Sequence, residues 1–67
     1  MNMFTVIFVT GRGGPVVRRD PSFAASVGDA AEAAKWAVVN GKVPGAVGFE
    51  VQDRRNGAVL ADWQRTE

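Results

Sequence analysis

The chain has 67 residues, no cysteine and no histidine, a formal charge of +1, and 46% apolar against 22% charged residues. That composition describes one small globular domain spanning residues 1–67, and it excludes both a disulfide staple and a Cys/His zinc site. Association with a partner or unusually good packing is what remains to support so small a core, and the near-neutral charge gives no general pull toward nucleic acid or anionic lipid.

The first ten residues, MNMFTVIFVT, have neither the basic lead nor the small-residue cleavage site of a signal peptide, and no apolar run approaches a membrane span. A cytoplasmic protein is expected. Six arginines against two lysines, with abundant Ala, Val and Gly, suggest a GC-rich bacterial coding sequence. Residues 3–10 alternate Phe4, Val6 and Phe8 against Thr5, Ile7 and Val9, a strand with two apolar faces. GRGG follows at 11–14, then a short strand over 15–19, PVVRR, with Pro15 at its start. The pair reads as a hairpin.

DPSFAAS at 20–26 has loop chemistry, opened by Asp20-Pro21. Ser26 is placed as a helix N-cap with Asp29 three residues on, and the helix runs over 27–39 until Asn40-Gly41 stops it. A second loop, GKVPGA, leads to a strand over 47–53. RRNG at 54–57 carries the Asn-Gly turn signal, and a last strand covers 58–63. The expected fold is α+β, in the order ββαββ: a four-stranded antiparallel sheet with one helix packed on one face.

The glycine loop is the first candidate for chemistry. A phosphate-binding loop needs GxxxxGK[ST] between strand and helix, and the dinucleotide pattern needs glycine at position 16, where Val16 stands. Gly-Arg-Gly-Gly instead supplies residues that accept positive φ, as a tight turn requires. Arg12, Arg18, Arg54 and Arg55 are the candidate nucleic-acid contacts, on edge and turn positions. Arg18 and Arg19 point to opposite faces, and seven acids offset eight basic residues.

The helix carries the sharper anomaly. At 100° per residue Val27, Ala30, Ala31, Ala34, Ala37 and Val38 form a small-residue stripe that lets the helix lie close to the sheet. Trp36 falls among Asp29, Glu32 and Lys35 on the other side, with Val39 nearby. Two readings stand: Trp36 folds sideways over a sheet edge or the DPSF loop, or it anchors an interface. One helix covers one sheet face, so Ile7 and Val9 are expected on an uncovered apolar patch. Trp36, Val39, Ile7 and Val9 are therefore the candidate interface.

Catalysis lacks its usual groups. No His or Cys supplies a base or thiolate, Ser26 is taken by its cap role, and Glu50 and Asp53 point to opposite strand faces. The scattered acids offer no metal cluster, and no cofactor or metal is expected. The reading is a non-catalytic interaction module whose partner is a second copy or another protein, with weak nucleic-acid binding as the alternative.

GFEVQDRRNGAVLADW, preceded by DAAEAAKWA, resembles the C-terminal hairpin and helix of small bacterial ββαββ proteins of unknown function, of the form hydrophobic-x-V-x-D-x-x-G-x-V-L. The likeness covers residues 26–63. It implies a compact ββαββ domain and brings no catalytic residues with it.

Overall fold

A computed structural model describes residues 3–11 and 13–65. Its elements are β1 (Phe4–Val9), β2 (Val16–Ser22), α1 (Val27–Val39), β3 (Gly48–Asp53) and β4 (Val59–Gln64). They form an antiparallel sheet in the order β2-β1-β3-β4 with α1 packed on one face. This is the expected α+β arrangement.

β1 is central, and its alternation settles the layers. Phe4, Val6 and Phe8 face the helix and join Phe49 and Val51 of β3 in the core, together with Ala30, Ala34 and Val38 of α1 and Val43 from the following loop. Thr5, Ile7 and Val9 lie on the open face. The small-residue stripe of α1 is the buried one, as its spacing predicts: Ala30, Ala34 and Val38 are fully buried, while Val27, Ala31 and Ala37 pack at its margins.

The helix ends follow from local chemistry. The Ser26 Oγ accepts from the Asp29 N–H at 3.1 Å, satisfying one of the free donors of the first turn. At the other end the Gly41 N–H donates to the Val38 carbonyl and the Lys42 N–H to the Ala37 carbonyl, with Gly41 at φ +69°. That is a Schellman motif with its glycine in the left-handed position.

Strand β2 departs from expectation. It continues through Asp20, Pro21 and Ser22, which sequence chemistry assigned to a loop. Pro21 pairs with Thr5 on the outer strand of the sheet, where its missing N–H interrupts no ladder bond. The glycine segment between β1 and β2 is a hairpin connection, closed by Thr10 N–H to the Pro15 carbonyl at 3.1 Å and Gly14 N–H to the Gly11 carbonyl at 2.8 Å. The β3–β4 connection is a four-residue loop: Asp53 N–H donates to the Ala58 carbonyl and Gly57 N–H to the Asp53 carbonyl, both at 2.8 Å. Both outer strands carry a bulge, β2 at Val17 and β4 at Leu60.

Candidate interaction surface

Helical geometry sets Trp36 roughly 160° and Val39 roughly 140° from the centre of the buried Ala30–Ala34–Val38 stripe. Both therefore point away from the sheet. Trp36 is 58% exposed and Val39 50%. More than half of the Trp36 surface is open, and the part of the ring that is met faces Lys42 of the following loop. Two contacts orient it. The Lys42 Nζ lies 5.8 Å from its ring centroid, and Asn40 Nδ2 donates to the Trp36 carbonyl at 2.8 Å, pinning the last turn.

Ile7 and Val9 occupy the open face as expected, but the apolar patch expected there is corrected by their burial. They are only 7% and 5% exposed. The reason is their central strand. Ile7 sits between Arg19 and Glu50, and Val9 between Val16 and Gly48. Arg and Glu bury aliphatic stems against such a neighbour while keeping their charged ends in water.

A groove that composition did not reveal runs on the helix side, between α1 and the outer strand β2. Its volume is about 360 Å³. Val6 and Phe8 form its floor, Ala30 and Ala33 one wall, Asp20 and Ser22 the other. Phe23, 73% exposed, stands at its rim. No motif marks this groove. Its only sequence signal is the polar run Arg18, Asp20, Ser22 on the helix-facing side of β2, which the helix does not cover.

The three candidate nucleic-acid arginines among the described residues do not converge. Arg18 pairs with Phe8 at one end of β1, whereas Arg54 and Arg55 follow Asp53, which pairs with Phe4 at the other end. Arg12 lies outside the described residues. Arg18 is engaged by Asp20, Nε to Oδ2 at 2.8 Å, and Arg55 by Asp53 at 3.3 Å. Hydrogen bonds from the Arg55 side chain and backbone N–H hold the Asp53 carboxyl below its ordinary value, and the same pair raises the Arg55 guanidinium. Among the described residues no group of three or more acids is placed to hold a metal ion, and no helix is long and apolar enough to cross a membrane.

Comparison with protein-family models, curated proteins and solved structures finds no match to this chain.

Proposed function

We propose that the protein is a non-catalytic interaction module of the cytoplasm that docks on a protein partner through the outer face of α1. The observation that carries this reading is the exposure of Trp36 and Val39 on the side of the helix turned away from the sheet. Each residue leaves half or more of its side-chain surface open to a partner. A rigid aromatic beside a branched aliphatic is the composition of a binding hot spot, and hot spots are enriched in tryptophan. Lys42 beside the ring and Asn40 on the Trp36 carbonyl hold the side chain and its turn in place before a partner arrives.

Photo-cross-linking in the cells that make the protein tests it. A photoreactive amino acid at position 36 or 39 is expected to give discrete protein adducts of one or more masses. The same group at position 19, on the opposite sheet face, is expected to give none. Equal labelling at 19 and 36, or no adducts at 36 and 39, overturns the proposal.

A further inference from the structure

The outer face of α1 carries its charges in a fixed order. Asp29 and Glu32 stand in the first half of the helix, and Lys42 follows its last turn. Along the same face runs one exposed ridge, Asp29, Ala33 and Trp36, continued by the cap residue Asn40. Its steps of four, three and four residues are the seam by which two helices pack side by side. Among the described residues no salt bridge engages Asp29, Glu32 or Lys42. The Lys42 ammonium instead lies 5.8 Å from the Trp36 ring centroid, on the ridge itself.

We propose, resting on the docking surface assigned to α1 above, that its partner is a second copy of this chain. The two α1 helices lie antiparallel along their ridges, about a two-fold axis between them. Antiparallel docking sets the acidic half of each helix beside the basic end of the other and opposes the two helix dipoles, which is favourable. Parallel docking sets Asp29 beside Asp29 and Lys42 beside Lys42.

The ridge also selects a register. With Trp36 opposite Ala33 of the second copy, Asp29 falls opposite Asn40, and both contacts recur across the axis. Every ridge position is then paired, and each large ring meets a methyl group, so the helices can approach closely. A register with Trp36 opposite Trp36 wedges the helices apart, and one with Asp29 opposite Asp29 faces two carboxylates. In the favoured register residues 36–42 of one copy run past residues 33–27 of the other. The ammonium held beside the Trp36 ring therefore comes within reach of the Asp29 carboxylate of the second copy, once at each end of the seam. No like charges stand opposite one another. The face is its own complement, ring for methyl and ammonium for carboxylate, and this complementarity names a second copy as the occupant. Val39 borders the seam. Ala33 is also a wall of the groove beside β2, so the second helix lies along the groove's mouth, where Phe23 stands exposed.

Sedimentation equilibrium of the intact chain, from micromolar to millimolar, tests the proposal. The expected result is a monomer–dimer equilibrium that weakens as salt rises, because the end pairs are open to solvent. Trp36→Ala is expected to weaken it about thirtyfold or more. Asp29→Lys faces two ammonium groups at each end of the seam and Lys42→Asp two carboxylates, and each variant alone is expected to dimerise about tenfold more weakly. In an equimolar mixture of these two variants, opposite charges meet at both ends of a mixed dimer, and the native strength is expected to return. Circular dichroism checks that each chain keeps its helix. Monomer mass at every concentration overturns the proposal. So does a dimer whose two charge variants fail to restore each other in the mixture, a result that does not depend on whether Trp36→Ala folds. Cross-linked adducts at positions 36 and 39 that never have twice the mass of the chain also overturn it, while leaving α1 as the docking surface for a different protein. The two proposals therefore fail separately.

Discussion

The two hairpins share a layout and differ in what they offer the helix. On the helix side, β2 presents Arg18, Asp20 and Ser22, while β4 presents Ala61 and Trp63. Four strands span about 14 Å between the outermost two, and a helix with its side chains is about 10 Å across, so one helix cannot cover them all. α1 settles over β3, with β4 and β1 beside it, and leaves the groove along β2. On the covered side, over β3 and β4, Trp63 stacks on Phe49 at 5.8 Å between ring centroids, and Lys35 lies over Trp63. The inner faces of the outer strands decide where the helix rests.

The strongest way to break this comparison is to truncate one side chain beneath the helix and one on the strand it leaves uncovered. Phe49 of β3 is 1% exposed beneath the helix. Phe49→Ala is expected to cost about 3–5 kcal/mol, a large share of what a domain of this size holds. Val17→Ala, on the uncovered β2, is expected to cost less than about 1 kcal/mol. Urea denaturation followed by circular dichroism measures both. Comparable losses would mean that the helix is not seated where the strand faces place it.

Two helix substitutions sharpen the contrast between its ends and its outer face. Ser26→Ala removes the acceptor for the Asp29 N–H and is expected to cost about 1 kcal/mol, with Ser26→Asp restoring most of it. Trp36→Ala is expected to change stability by about 0.5 kcal/mol or less, because the alanine stripe carries the contact with the sheet. A large loss on Trp36→Ala would assign that ring to the fold and remove it from the interaction surface.

Much of this molecule is written in local pattern. The alternation of Phe4, Val6 and Phe8, the small-residue stripe and the Ser26 and Gly41 caps are all short-range signals, and the strands and helix follow them. What escaped depends on strand order. Ile7 and Val9 are covered only because β1 is flanked on both sides, and no property of residues 3–10 states that. Asp20-Pro21 has turn chemistry, yet an outer strand tolerates it because proline's missing donor faces outward. Val43 joins the core from a loop whose composition is that of a connector. The groove exists because the helix chose β3 and β4. The angular position of Trp36 on α1, by contrast, was legible, since it needs only the helix itself, whereas the exposure of its ring depends on what surrounds the helix.

The smallest expected effect concerns the β3–β4 loop, where a side chain ties down a connection. Asp53 Oδ1 accepts from the Arg55 N–H at 2.8 Å, and its carboxylate also meets the Arg55 guanidinium. Its folded value is lowered, so its contribution is present above the unfolded carboxylate value and lost as pH falls through the lowered folded one, that is, below about pH 4. Arg55, raised by the same pair, keeps its charge throughout this range. Asp53→Asn retains an oxygen for the Arg55 N–H and removes only the charge. The thermal midpoints of the two chains are expected to differ slightly at pH 6, to converge toward pH 2, and to converge also at 1 M salt, because the pair is open to solvent. A gap that persists at pH 2 would show that the charge does not hold the loop. Its order would then rest on the backbone bonds between Asp53, Gly57 and Ala58, which no change of pH in this range removes.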